Sequence, residues 1–237
     1  DILIWCSSER LARELISDLK SEYKEVKVSE PGNFSYLGMH IIVRNEHIVV
    51  SMQAYVRGVL ADYPVTGSVT SPATGDLFKV GESAQMSESE AKIFHTVTAK
   101  LLYLSKRARP DIMLAVAYLT TRVKGPNLDD GKKLKRVMKY LNGSVARDLV
   151  LHATKPLRVE GYIDAAFGLH DDGKSHTGMV ITVGGATVMC KSSKQKMVTR
   201  DSTEAELVGL SDRVSDVLQC HDFIIGLGFQ LDMPIIY

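Results

Sequence analysis

Apolar residues recur along this chain in several rhythms, and the places where the rhythm changes divide it. Ile2-Leu3-Ile4-Trp5 is a continuous apolar run, reaching Cys6, that predicts a strand. Leu11, Leu15, Leu19 and Tyr23 then recur at intervals of four, the spacing of an amphipathic helix. Phe34–Val43 and His47–Ser51 are rich in β-forming residues, with Arg44-Asn45-Glu46 between them as a hairpin turn, and a short helix is expected over Gln53–Ala61. From Tyr63 to Met86 periodicity lapses among Pro64, Pro72 and several Gly, Ser and Thr residues. An unpatterned stretch of that length marks a boundary or a functional loop.

The middle of the chain has helical patterning. Ser87-Glu88-Ser89-Glu90 has the form of a capping box and opens a helix that runs to Lys106. Pro110 suits the first position of the next helix, which ends near Arg122, and Asn127 caps a third that stops at Asn142-Gly143. Strand patterns then take over at Leu149–Leu151, Leu157–Ile163, Gly178–Val183, Ala186–Lys191 and Lys196–Thr199, with Gly184-Gly185 as a hairpin turn. A long helix is expected from Ser202 to Ile225, with Leu207, Leu210, Val214, Val217, Leu218 and Ile225 on one apolar stripe, and Ile235–Tyr237 begins another strand. Strands, then a helix, then a strand predict an α/β unit in which a helix packs on a mixed sheet. The chain thus divides into 1–62, a loop or linker over 63–86, a helical segment over 87–146 and the α/β unit over 147–237. Both ends fall inside strand-like runs, so the chain reads as a piece of a longer one.

Composition narrows the class. Of 237 residues, 45% are hydrophobic and 24% charged, which suits an ordinary globular protein and sets aside disorder. With 29 basic against 28 acidic residues, a nucleic-acid partner would have to be held by local basic patches. No run reaches the roughly 18 apolar residues of a membrane span. Cys6, Cys190 and Cys220 are few and scattered, giving neither a disulfide framework nor a zinc pattern, and a reducing, intracellular setting is expected.

The candidate chemistry lies in the last third. Gly161-Tyr162-Ile163-Asp164 puts a carboxylate at the end of an apolar strand, and Ser202-Thr203-Glu204-Ala205-Glu206 puts two more in the first turns of the long helix. Glu204 and Glu206 flank the apolar stripe on opposite edges, so helical geometry leaves open which of them faces the sheet. Clustered carboxylates hold hard divalent cations for phosphodiester chemistry. Spacing alone favours a plainer account, a helix-terminal Glu stabilised by the dipole and an exposed strand-end Asp.

Four ordered words change that weighting: Gly161-Tyr162-Ile163-Asp164-Ala165, Lys174-Ser175-His176-Thr177-Gly178, Lys191-Ser192-Ser193-Lys194-Gln195 and Ser202-Thr203-Glu204-Ala205-Glu206-Leu207. Together they resemble the ribonuclease H domain of copia-type retrotransposon Pol polyproteins. Tyr103-Leu104, Arg109-Pro110-Asp111-Ile112 and Val137-Met138-Lys139-Tyr140-Leu141-Asn142-Gly143 look like the segment joining polymerase to that domain, and Phe34-Ser35-Tyr36-Leu37-Gly38 looks like the polymerase stretch after its active site. The resemblance implies a ribonuclease H-like mixed sheet with a packed helix, preceded by a helical connection and the end of a reverse transcriptase palm and thumb. It implies that Asp164 and Glu206, rather than Glu204, hold Mg²⁺ (two ions per site, with Mn²⁺ as a substitute), and that a third carboxylate follows Tyr237. Asp1 looks like the second Asp of the polymerase Tyr-x-Asp-Asp word, a further metal ligand.

The implied parent enzyme copies RNA into DNA and cuts the RNA strand of the hybrid, in a cytoplasmic particle with a nuclear phase, without a membrane. The residues given are expected to be inactive by themselves, and the rival reading is a domesticated or decayed nucleic-acid-binding module. The sequence departs from the family pattern at Ala166, Phe167, Cys190 and Asp201, where an acidic residue, Trp, Trp and a small residue are usual.

Two basic groups are candidates for contact with an RNA–DNA hybrid. Lys132, Lys135, Arg136 and Lys139 share a helix face opposite Leu134, Val137, Met138 and Leu141, while Lys191, Lys194 and Lys196 lie beside the presumed site. His170-Asp171-Asp172, between Gly168 and Gly173, reads as a solvent loop, and His176 has no assigned role.

Overall fold

The computed structural model describes residues 1–237 except Trp5, Ser7, Glu30 and Lys155. Asp1–Ile4 and Cys6 form no strand, and Trp5, the end of the apolar run expected there, lies outside the described residues. Helix α1 (Glu9–Glu22) carries the i,i+4 pairs Arg10–Glu14 and Arg13–Glu9 but buries none of its residues, so its expected apolar stripe is uncovered.

The Phe34–Val43 segment is a hairpin rather than a single run. Strands β1 (Asn33–Tyr36) and β2 (Met39–Val43) meet at Leu37-Gly38, both with positive φ (47° and 74°), the two-residue geometry that suits strand twist. Strand β3 (Ile48–Ser51) pairs with β2, and α2 (Gln53–Asp62) follows. Residues 63–86 contain no helix or strand, but they are anchored. Leu77 is buried, Gln85 bridges Asn127, and Lys133 Nζ donates to Lys79 O.

Helix α3 (Glu88–Ser105) opens on the expected capping box, with Ser87 and Glu90 satisfying each other's backbone N–H groups. Pro110–Ile112 is one turn of 3-10 helix leading into α4 (Met113–Arg122), and α5 (Leu128–Asn142) starts from a second capping box between Asn127 and Asp130. Leu134, Val137, Met138 and Leu141 of α5 are buried in a core shared with α2, α3 and α4. Arg109, 1% exposed, ties this layer together: its guanidinium meets Asp111 at 2.8 Å and donates to Ser144 O, while Tyr140 donates to Asp111.

Strand β4 (Leu149–Leu151) corrects one expectation. It pairs with β3, Ile48 opposite Leu151, and so completes the first sheet in the order β1-β2-β3-β4 instead of starting the sheet of the last third. That second sheet comprises β5 (Val159–Ala166), β6 (His176–Val183) and β7 (Ala186–Lys194), antiparallel in turn, with β8 (Ile235–Ile236) parallel to β5 on its other edge. Gly184 and Gly185, φ 56° and 85°, make the β6–β7 turn as expected, whereas Lys196–Thr199 is not a strand. Helix α6 (Ser202–Gly226) lies on one face of this sheet and α4 approaches β7.

Helix α6 uses only part of the apolar stripe its sequence suggests: Val217 is fully buried and Val214 half-buried. Leu207, Leu210, Leu218 and Ile225 are exposed, and the buried residues are Ala205, Gly209, Val217 and His221. Close approach decides this. A Cβ on Gly161 would stand 2.6 Å from Val217 Cγ2, and one on Gly209 would stand 3.2 Å from Thr177 Cγ2. At each close approach one partner is a glycine, Gly161 on the strand opposite Val217 and Gly209 on the helix opposite Thr177.

Candidate functional site

Pleating sorts the residues of β5 onto two faces. Gly161 and Ala165 face α6, while Tyr162 and Asp164 alternate with them and are exposed. Along the edge of β5, Tyr237 N donates to Gly161 O (2.8 Å) and Ile163 N donates to Tyr237 O (3.0 Å). The next N–H on that edge, Ala165, is taken by the Glu206 carboxylate at 3.1 Å. Glu206 therefore reaches the residue adjacent to Asp164.

The first turn of α6 separates its two glutamates. Asp201 is the N-cap, its Oδ1 accepting from Glu204 N at 2.8 Å, and Glu204 folds back to accept from Arg200 N at 2.6 Å. Glu204 is thus engaged in holding the helix start, and Asp201, a departure from the family pattern, has a structural role as a cap. Among the described residues no three of His, Cys, Asp and Glu come together to hold a metal ion. Asp164 and Glu206 are both exposed carboxylates, hard oxygen donors, carried by neighbouring parts of β5 and α6. Asp1 lies elsewhere, its Oδ2 accepting from Leu37 N (3.0 Å) at the β1–β2 turn.

Asp164 lines a cleft of about 510 Å³ between the second sheet and α4, together with Tyr162, Ser192, Met113, Leu114 and Tyr237. The Tyr162 and Tyr237 rings stack at 5.0 Å between centroids. The nearby lysines are partly neutralised: Lys191 meets Asp216 and Lys194 meets Asp172, each at 2.7 Å, while Lys196 is exposed. On α5, Lys132 and Lys135 are exposed and Arg136 and Lys139 half-buried, opposite the buried apolar face, and Lys133 turns inward over the Tyr118 ring.

His170 is not in a solvent loop. It is 7% exposed, and its Nε2 lies 3.0 Å from Nδ1 of His176, itself 4% exposed. His176 Nε2 lies 2.7 Å from Ser192 Oγ, and Phe78 from the 63–86 segment meets both rings edge-on at 5.2 Å. Burial pushes the His176 imidazole down to about 4 and lowers His170 as well. Sequence reading missed this chain of rings, and its only trace was the placement of His176 inside one of the four words. Cys190 and Cys220 are half-buried and Cys6 exposed, all free thiols, and among the described residues no helix is long and apolar enough to cross a membrane.

No protein-family profile matches the chain, and no solved structure does. The chain is 26% identical along its whole length to the retrovirus-related Pol polyprotein from transposon TNT 1-94 of Nicotiana tabacum, of which it spans 18%. Over 89% of its length it is 28% identical to an uncharacterized mitochondrial protein of Arabidopsis thaliana, covering 87% of that protein. Over 60% of its length it is 33% identical to the retrovirus-related Pol polyprotein from transposon RE2 of Arabidopsis thaliana, covering 10% of it.

Proposed function

The chain belongs to the Pol polyproteins of copia-type transposons, and from that premise we propose that its last third is the ribonuclease H-like part of a reverse transcriptase, with Asp164 and Glu206 as metal ligands. One observation carries the reading: the Glu206 carboxylate, brought by α6, accepts from the backbone N–H of Ala165, the residue next to Asp164. Because Gly161 pairs with Ile236 in parallel register, further residues of β8 would run beside Ile163 and Asp164, and their backbone would take the Ala165 N–H and leave the Glu206 carboxylate free beside Asp164. That is where the third carboxylate of the family pattern belongs.

In this reading Asp164 and Glu206 bind the ions from the two sides of a strand edge, and the exposed basic residues hold the phosphates of an RNA–DNA hybrid. Bound Mg²⁺ supplies Lewis-acid stabilisation of the phosphodiester and a more acidic water. The cleft beside Asp164 receives the strand to be cut, with the stacked Tyr162 and Tyr237 rings along one wall. The longer Pol chain would copy RNA into DNA, with Asp1 in its polymerase site, and then remove the RNA. Residues 1–237 alone, presenting two carboxylates, bind metal weakly and hold a hybrid without cutting it.

Manganese binding tests the ligand assignment. Electron paramagnetic resonance of Mn²⁺ titrated into the chain should show a bound fraction that falls in both Asp164→Asn and Glu206→Gln and persists in Glu204→Gln. Loss in Glu204→Gln with retention in Glu206→Gln would reverse the assignment.

A further inference from the structure

Asp164, Gly178 and Ser192 form one row across β5, β6 and β7, each directly opposite the next. Neighbouring strands lie about 4.8 Å apart, so the outer two residues of the row are roughly 10 Å apart at Cα. Between them Gly178 has no side chain, and nothing stands within 4 Å of where its Cβ would be. The row is therefore an open trough, with a carboxylate on one side and a half-buried hydroxyl on the other.

That hydroxyl is held from behind. Ser192 Oγ is 2.7 Å from His176 Nε2, and His176 Nδ1 is 3.0 Å from His170 Nε2, with Phe78 against both rings. Burying two imidazoles is costly unless their ring nitrogens are paired, and here the pairing ends on a hydroxyl that lines the cleft. Burial keeps His176 neutral at physiological pH, so the chain can run in either tautomeric direction. In one direction Ser192 accepts from His176 and its own O–H is free to donate into the cleft. In the other it donates to His176 and its oxygen is free to accept. A ribose hydroxyl, both donor and acceptor, satisfies either state, whereas a deoxyribose offers neither at that carbon.

We infer that Ser192, positioned by His176 and His170, binds a ribose 2′-hydroxyl and so contributes to choosing the RNA strand at the Asp164 cleft. The inference rests on the ribonuclease H-like reading above. The test is fluorescence anisotropy of residues 1–237 with a labelled RNA–DNA hybrid and with the DNA duplex of the same sequence, both in Mg²⁺. Ser192→Ala should weaken hybrid binding roughly five- to ten-fold, the loss of one hydrogen bond, and leave duplex binding unchanged. Ser192→Thr, which keeps the hydroxyl, should retain the preference. A purely structural role would move both affinities together, and that outcome overturns the inference. A hybrid preference that survives Ser192→Ala also overturns it while leaving the broader reading intact. If the unaltered chain shows no preference for hybrid at all, the broader reading fails and takes this role with it.

Discussion

Gly161→Ala places one methyl group where the second sheet and its helix meet most closely. The added Cβ would stand 2.6 Å from Val217 Cγ2, nearer than carbon atoms tolerate, and 3.7 Å from Ile236 Cγ1. Val217 is fully buried on a helix, where a β-branched side chain has one strongly preferred rotamer and cannot swing aside. Either α6 lifts from the sheet or β5 bends. Overpacking of this kind costs about 1–3 kcal/mol, and replacing a strand glycine by alanine returns roughly 0.5–1 kcal/mol of backbone entropy. Taking the middle of each range, the expected net loss is about 1 kcal/mol. Val217→Ala alone, removing two methyl-sized groups from a buried site, should cost about 2 kcal/mol. In the double variant the new methyl occupies space Val217 has vacated, so the two losses should sum to about 1–2 kcal/mol less than if they were independent. Native-state hydrogen exchange, read peptide by peptide, isolates this unit from the first core, and the loss should be confined to β5, β6 and α6. An effect of Gly161→Ala under about 0.5 kcal/mol, or simple additivity with Val217→Ala, would refute the close packing that positions Glu206.

Four further outcomes are expected. Burial raises the Asp111 carboxyl, but the hydrogen bonds from Arg109 and Tyr140 outweigh it and hold the group below its ordinary value. Its contribution is therefore present above the unfolded aspartate value and is lost as pH falls through the folded one, so Asp111→Asn should flatten the acid-unfolding profile of the helical core. Arg109→Ala, which strands that carboxylate, should cost about 3–5 kcal/mol in urea unfolding, and a cost below about 1 kcal/mol would contradict the network. His176 titrates lower folded than unfolded, so the unfolded chain binds the extra proton between 6.5 and about 4, and exchange protection of β6 and β7 should fall as pH drops through that window unless His176→Gln is present. Lys135→Gln should reduce the salt slope of hybrid binding by about one, and Lys132→Gln, Lys191→Gln and Lys194→Gln by less, because Asp129, Asp216 and Asp172 already share those charges.

Local signals in the sequence translated well into elements. The Ser87–Glu90 and Asn127 caps, the Gly184-Gly185 turn and the apolar face of α5 each depend on residues close in the chain, and each stands where its pattern predicts. What depended on distant partners did not translate. Leu149–Leu151 pairs with a strand a hundred residues earlier, and nothing in three apolar residues says which sheet they join. The Leu37-Gly38 turn was hidden because Leu37 adopts a positive φ, which leucine seldom does. The α6 stripe holds only in part because periodicity tracks hydrophobicity: Val217 packs on Gly161 as a stripe residue should, whereas close approach to Thr177 and Ala165 puts Gly209 against the sheet in place of Leu207 and Leu210. In the candidate site, helical geometry leaves Glu204 and Glu206 equivalent. The capping geometry at Asp201 separates them, and capping by an aspartate three residues ahead of Glu204 is readable in retrospect. The His170–His176–Ser192 chain joins a loop and two strands and includes Phe78 from outside the unit, so no local pattern announces it.

The most direct test of the central claim is cleavage of a 5′-labelled RNA strand in an RNA–DNA hybrid by the chain extended through β8 and the residues that follow it in a Pol polyprotein. With Mg²⁺ the extended chain should cut the RNA strand, Asp164→Asn and Glu206→Gln should each abolish cutting, and Glu204→Gln should leave it standing. Cleavage that persists in both Asp164→Asn and Glu206→Gln would contradict the account, because the chemistry would then not be done at those two carboxylates.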